Sequence, residues 1–302
     1  MEASTTHCRN CDALIDGQYC RSCGQREGRG DLHFAEAATD ILGDVFTWDS
    51  RVWRTLFPLL FRPGFLSAEF NAGRRMRYMP PFRLYIVVSF LMFLMISLTA
   101  GDAVVSGEWD EESTESVVTL GVDVDVDAST EGVAGSDASA ASDKDKVTIN
   151  LMEDGPAWVQ ALEKRMEANA QRVKEDPRDY VDDLLDHLPQ VMFVMLPLFA
   201  LLLKLVYFFS PYHYLQHLVF ALHYHTFVYL LFLISSAVEA VSWNVDGLFS
   251  ILLIVYLPLA LHRCYGSSWG AAIGKSLALL LSYTIALFIG MVAAAIAVLA
   301  AM

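Results

Sequence analysis

The chain has 302 residues, of which 55 % are hydrophobic, and a formal net charge of −14. A mean hydropathy of +0.39 excludes an ordinary soluble domain, and the charged segments exclude a chain that lies wholly within a membrane. The acidic residues are concentrated in one segment, because residues 101–188 carry 23 acidic and 7 basic side chains. The overall charge therefore gives no argument about nucleic acid.

The first predicted element is a cysteine-rich cap over residues 1–30. Its four cysteines, Cys8, Cys11, Cys20 and Cys23, form two Cys-x-x-Cys pairs. This spacing is typical of two knuckles that hold one ion, and it predicts a structural zinc site of the zinc-ribbon type. Because so short a segment has little core, metal binding would supply most of its folding free energy. Iron in a rubredoxin-like site and a pair of disulfides are the alternatives, and a reducing compartment disfavours the disulfides.

The start of the chain lacks the basic and apolar regions of a signal peptide, so we expect the cap to stay on the cytoplasmic side. Its arginines are offset by nearby acidic residues, whereas nucleic-acid-binding modules have a basic excess. We therefore expect the cap to dock a cytoplasmic protein partner, and we do not favour a nucleic-acid partner.

Residues 31–81 form an amphipathic, aromatic-rich region. Trp48, Val52 and Leu56 would share one helical stripe, which Trp53, Phe57 and Phe61 widen. The segment is too short and too charged to span a bilayer, so we expect it to lie in the membrane interface. A helix that packs against the cytoplasmic end of the bundle is the alternative.

A cationic cluster follows at Arg74, Arg75 and Arg77, directly before the first span. Such a cluster sets membrane topology, because cytoplasmic segments are enriched in basic residues. The alternative is a site for a phosphate or an anionic lipid headgroup.

Five apolar runs are long enough to cross a bilayer as helices. The first span is predicted at 82–100, and four further spans within 189–302 lie at 189–209, about 215–238, 247–262 and 275–300. Basic residues near the span ends favour a cytoplasmic N-terminus and an outer C-terminus. This orientation agrees with an odd number of spans.

The acidic segment 101–188 would then be extracytoplasmic. Residues 101–146 have too few apolar side chains to form a core and are predicted to be a flexible, solvated spacer. Calcium binding by the aspartates is less favoured, because the glycine and distal glutamate of an EF-hand loop are absent. Residues 155–188 show helical spacing that continues towards the second span.

The third span contains a dense group of histidines. His213, His217 and His225 could share a second metal or haem centre, or a polar path, with His262 of the fourth span, whereas His223 would point elsewhere. The alternative is that neutral imidazoles form hydrogen bonds with tyrosine or serine hydroxyls of adjacent helices.

Three features together resemble a known family: the cysteine cap, a Pro-Gly pair at 63–64 followed by Gly-Arg-Arg-x-Arg-Tyr from Gly73, and the histidine-rich run at 217–225. The family consists of bacterial membrane proteins with an N-terminal zinc ribbon and is catalogued as domain of unknown function 3667. The resemblance implies an inner-membrane protein and supplies no catalytic residues.

The expected fold is an all-α integral membrane protein with about five transmembrane helices, a zinc-ribbon-like knuckle and an interfacial amphipathic helix. The leading functional hypothesis is a non-enzymatic scaffold, sensor or accessory subunit that contacts the lipid bilayer and could form oligomers. A small transporter or lipid-handling protein that uses the histidines is the second hypothesis, and a metal-dependent membrane enzyme is the third.

Overall fold

The computed structural model describes residues 6–15, 17–25, 51–106, 156–175, 177–239 and 246–302. The predicted flexible spacer lies mostly outside these residues, as do Trp48 and the aspartate-rich run at 123–127. Two short strands come first, β1 (Thr6–His7) and β2 (Leu14–Ile15). The helices that follow are α1 (Arg51–Phe61), α2 (Phe65–Asn71), α3 (Pro81–Ser106), α4 (Ala157–Glu175), α5 (Pro177–Val206), α6 (Tyr214–Glu239), α7 (Asp246–Tyr265) and α8 (Trp269–Ala301).

Five of these helices are long and apolar enough to cross a membrane. Their candidate spans are Pro81–Thr99, Tyr180–Val206, Tyr214–Val238, Gly247–Tyr265 and Trp269–Ala301. The predicted fold class is confirmed: the protein is an α-helical integral membrane protein with five candidate spans. Two predicted spans began too late, because α5 already includes Tyr180 and α8 begins at Trp269 instead of Lys275.

The chain forms two compact units, each built from segments that are distant in sequence. The first unit comprises Met1–Ile96 and Phe193–Ala286. Its core surrounds α6, the most deeply buried of the five span helices. Phe199 of α5 stacks on Tyr224 of α6, and Phe227 of α6 stacks on Tyr256 of α7 with ring centroids 3.5 Å apart.

The second unit comprises Ser97–Met192 and Leu287–Met302. Here the amphipathic helix α4 has its apolar residues Val159 and Met166 buried. The amide of Asn169 donates a hydrogen bond to the Leu299 carbonyl at 2.8 Å, and the Tyr180 hydroxyl donates to the Ala295 carbonyl at 3.1 Å. The predicted helical structure between 155 and 188 is therefore present, as α4 and as the beginning of α5. Proline is tolerated in the first turn of a helix, where Pro177 lies.

Helices α1 and α2 form a hairpin that packs on the bundle. One face of α1 is turned inward through Thr55 and Leu59, whereas Trp53, Phe57 and Phe61 on the other face are exposed. The Tyr256 hydroxyl of α7 donates to the Leu59 carbonyl at 2.7 Å. The structure thus agrees with the alternative, in which the helix packs on the bundle. The location of its exposed aromatic face in the membrane interface stays a prediction.

Candidate metal centre

The cysteine knuckle, residues 6–25, consists of two turns with the same hydrogen bonds. In the first turn the Cys8 amide donates to the Ala13 carbonyl at 2.9 Å, and the Asp12 amide donates to the Cys8 carbonyl at 2.8 Å. In the second turn Cys20 is paired in the same way with Gln25 and Gly24, both at 2.8 Å. Each turn is therefore a copy of the other, shifted by twelve residues.

Both turns also share a left-handed residue at the equivalent position. Asp12 has φ 63° and Gly24 has φ 74°. Glycine adopts this conformation without strain, whereas a residue with a side chain rarely does. Aspartate is one of the few residues with a side chain that adopts this conformation readily, so its place four residues after Cys8 was a signal that could have been used.

These turns bring the four thiols together. All four Sγ atoms lie within 4.8 Å of one another, with Cys8 and Cys23 at 3.6 Å and Cys11 and Cys20 at 3.5 Å. Zinc–sulfur bonds of about 2.3 Å in a tetrahedron place the sulfurs about 3.8 Å apart, so the cluster fits one ion of this size. Cys8 and Cys20 are buried, Cys11 is exposed, and none of the four is disulfide-bonded. The four cysteines can therefore hold a metal ion.

The knuckle packs against residues 72–80, which we call the basic loop and which connect α2 to α3. The amide of Gln25 donates to the Gly73 carbonyl at 2.9 Å. Gly73 has φ 83°, and a Cβ there would lie 3.1 Å from Cδ of Arg9. A glycine is needed at this position because the loop backbone is left-handed and in close contact with the knuckle.

The three arginines of the predicted cationic cluster have different surroundings. Arg74 forms a bidentate ion pair with Glu69 of α2, which lowers the pKa of that carboxyl below its ordinary value of 4.5. The Arg75 guanidinium stands 4.6 Å from the ring centroid of Phe70, and desolvation followed by the nearby charge of Arg9 lowers its pKa. Arg77 is exposed. Two of the three therefore hold the basic loop against α2.

The histidines of α6 are directed towards three different elements. His217 Nδ1 is 2.8 Å from the Tyr265 hydroxyl of α7, His223 Nδ1 is 3.0 Å from the Ser67 hydroxyl of α2, and the Tyr283 hydroxyl of α8 lies 2.9 Å from His225 Nε2. His225 Nδ1 donates to the Ala221 carbonyl at 2.8 Å, so its Nε2 accepts from the tyrosine. These contacts agree with the alternative prediction, in which the imidazoles form hydrogen bonds with hydroxyl groups of adjacent helices.

The other two histidines of the predicted set, His213 and His262, lie apart from the three in α6. His213 is exposed just before α6. His262 Nδ1 donates to the Ser267 carbonyl at 2.5 Å, and its ring stacks on Trp269 with centroids 4.1 Å apart. Within the described ranges, the cysteine cluster is the one group of three or more metal-ligating side chains close enough to share an ion. The structure thus does not bring the predicted histidine set to one centre.

Several polar residues that join distant segments of the chain were not predicted from the sequence. Ser67, Gln25 and Asn71 make contacts with partners far away in the chain, and Asn71 approaches the buried Cys264 at 3.6 Å. The available signal was the presence of polar residues in a short helix that also carries apolar ones, such as Ser67 beside Leu66. Its partner could not be identified from spacing, because the two residues are 156 positions apart.

Comparison with known proteins adds one match. The family model described as Protein of unknown function (DUF3667) matches residues 49–93, which contain α1, α2, the basic loop and the first part of α3. No curated protein and no solved structure matches the chain. The match supports the resemblance to domain of unknown function 3667 over residues 49–93. It does not include the cysteine cap or the histidine-rich run at 217–225.

Proposed function

We propose that the protein is a non-enzymatic component of the bacterial inner membrane, whose cytoplasmic knuckle binds one Zn²⁺ and docks a protein partner. It would act as a scaffold, a sensor or an accessory subunit. The observation that carries this proposal is the closed set of four thiols in contact with the basic loop. Because four protein ligands fill a tetrahedral ion, such a centre leaves no position for a substrate and is structural.

The contacts that fix the knuckle on the basic loop support a docking role. Gln25 and Arg9 contact Gly73, and the basic loop that contains Gly73 is held by the Arg74–Glu69 ion pair. The loop leads directly into α3, so a partner bound to the knuckle would be held close to the first span. A segment that binds a partner on behalf of a membrane protein needs to be held in a fixed position on that protein.

The knuckle also exposes apolar side chains. Leu14 is 63 % exposed and Tyr19 is 57 % exposed, although the knuckle has only a small core of its own. Tyrosine is enriched at the anchor positions of protein interfaces, and Leu14 would add apolar area that becomes buried on binding. Arg21 is exposed nearby in sequence and would contribute charge.

The surroundings of the α6 histidines support a role in helix packing more than they support a transport path. His217, His223 and His225 are all buried, and each has a hydroxyl partner on another element. Imidazoles engaged in this way stabilise helix packing. The scaffold hypothesis is therefore favoured over a transporter or a metal-dependent enzyme.

Elemental analysis of the detergent-solubilised full chain tests the metal. We expect one zinc per chain, its loss in the Cys8→Ser/Cys20→Ser variant, and its retention in Cys264→Ser, which removes the buried thiol of α7. The helices should still insert in all three proteins. Iron in place of zinc, or zinc that persists without Cys8 and Cys20, would contradict the assignment.

Site-specific photo-crosslinking in cells tests the docking role. A benzophenone amino acid at Tyr19 should give a discrete protein adduct, whereas the same group at Phe288, an exposed residue of α8, should not. The adduct should disappear in the Cys8→Ser/Cys20→Ser background. Absence of a Tyr19 adduct, or an adduct that does not depend on the cysteines, would argue against a zinc-dependent docking surface.

A further inference from the structure

Three residues of the cysteine turns contact the basic loop. The stem of Arg9 lies against the buried Gly73, since a Cβ there would be 3.1 Å from Arg9 Cδ. Gly24 faces Met76, because a Cβ at Gly24 would lie 4.0 Å from Cε of that methionine. The amide of Gln25 donates to the Gly73 carbonyl at 2.9 Å. The surface that holds the loop is thus built from the same turns that bring the four thiols together.

The positions of these residues depend on whether the two turns are folded. The Cys20 amide donates to the Gln25 carbonyl at 2.8 Å, which fixes the backbone from which the Gln25 side chain reaches the loop. Among the described residues, the buried core of the knuckle consists of Cys8, Ile15 and Cys20, and two of these are metal-ligand candidates. A core of this size does not keep the turns folded without the ion, so metal binding and folding of the knuckle are one equilibrium.

The part of the basic loop that the knuckle contacts is a turn at the end of α2. The amides of Gly73 and Arg74 donate to the carbonyls of Phe70 and Glu69, both at 3.0 Å. Gly73 is left-handed, with φ 83°. If the knuckle unfolds, the Gly73 carbonyl loses its donor and the turn loses the cover of the Arg9 stem. Backbone hydrogen bonds at an uncovered helix end open readily, so this turn would fray.

We propose that metal occupancy of the knuckle controls the basic loop: the loop is held while Zn²⁺ is bound, and it is released when the ion is lost. This inference rests on the proposed function, because it requires the zinc centre, and it makes the protein a sensor of that metal. The loop leads directly into α3, so its release changes the start of the first candidate span. Linkage makes the coupling reciprocal, and a change that breaks the contact weakens zinc binding by the same factor.

Hydrogen exchange of the full-length protein in detergent, followed by mass spectrometry, tests the release of the loop. The amides of Gly73 and Arg74 should exchange at least about fivefold faster after treatment with a strong zinc chelator than in the zinc-loaded protein. The buried helix α6 is the internal control and should exchange at the same rate in both samples. Equal exchange of the loop with and without zinc would overturn the inference.

The reciprocal effect is measured as zinc affinity, by competition with a chromophoric chelator. Gly73→Val inserts a side chain against Arg9 without changing a cysteine, and should lower the affinity about fivefold or more. Gln25→Ala removes one hydrogen bond and should give a smaller loss, which keeps the test decisive if the valine variant does not fold. Gly266→Val is the matched control, because Gly266 is also left-handed, with φ 62°, but a Cβ there meets no atom within 4 Å.

The outcomes separate this inference from the proposed function. Zinc affinity that is unchanged in both Gly73→Val and Gln25→Ala would overturn the control of the loop and leave the zinc centre intact. An equal loss in Gly266→Val would show general destabilisation and would also overturn the inference. A wild-type protein that binds no zinc would overturn both the inference and the proposed function.

Discussion

The histidines of α6 show how single residues connect the elements of the first unit. His217, His223 and His225 reach hydroxyl groups on α7, α2 and α8, respectively. A helix that is surrounded by others needs polar contacts in several directions, and imidazole supplies them without a permanent charge. The density of histidines in this run therefore follows from the central position of α6.

The Ser67–His223 pair should be energetically coupled. Both side chains are buried, with 2 % and 6 % exposure, so removal of either leaves a polar group without its partner. In a double-mutant cycle with Ser67→Ala and His223→Ala, we expect a coupling energy of about 0.6–1.7 kcal/mol. The measurement is the free energy of unfolding in mixed micelles.

The exposed His213 gives the control for this cycle. His213→Ala should change the unfolding free energy little, and its effect should add to that of Ser67→Ala. Strictly additive effects of Ser67→Ala and His223→Ala would show that the hydrogen bond does not contribute to stability.

The hairpin of α1 and α2 depends on the turn between the two helices. Gly64 has φ 71°, and a Cβ at this position would overlap the Ala260 carbonyl oxygen and lie 2.8 Å from Ala260 Cα. The hairpin approaches the backbone of α7 this closely because glycine has no side chain. Gly64 of the Pro-Gly pair at 63–64 is thus required for the hairpin to pack against α7.

Gly64→Ala should destabilise the protein by about 2 kcal/mol or more, since it adds left-handed strain to a clash with the α7 backbone. Thermal unfolding of the detergent-solubilised protein measures the effect. Gly270→Ala is the control, because a Cβ at Gly270 meets no atom within 4 Å. If both variants unfold at the wild-type temperature, the close approach of the hairpin to α7 is wrong.

For the whole molecule, the count of spans constrains the orientation. If the five candidate spans found among the described residues all cross the membrane, the two termini would lie on opposite sides, and the arginines of the basic loop favour a cytoplasmic knuckle. The orientation remains a prediction, and the docking role of the knuckle depends on it. The predicted division of the chain into a cap, an interfacial segment, a first span, an acidic loop and four further spans is likewise a prediction.

Labelling with a thiol reagent that does not cross membranes tests this orientation. A cysteine at Ala72, an exposed residue at the end of α2, should react only after the cells are permeabilised. A cysteine at Ser136, in the acidic segment, should react in intact cells. The four native knuckle cysteines are unsuitable reporters, because a bound metal would protect them. The reverse pattern would place the knuckle outside and contradict a cytoplasmic partner.

Local composition and spacing were sufficient for the five spans and for the cysteine cluster. Apolar runs of about 20 residues become helices in lipid wherever they occur, and ligands three residues apart in a tight turn are brought together by that turn. The bounds of α5 and α8 were less accurate, since both helices extend beyond the apolar runs by which the spans were predicted.

Contacts between distant residues decided the rest. The contact of the knuckle with Gly73 and the three directions of the α6 histidines each join segments that no local pattern relates. The arginines of the predicted cluster were assigned by proximity in sequence, whereas Glu69 and Phe70 engage two of them in the folded chain. Side-chain pairing depends on how helices pack, and packing is a property of the whole bundle.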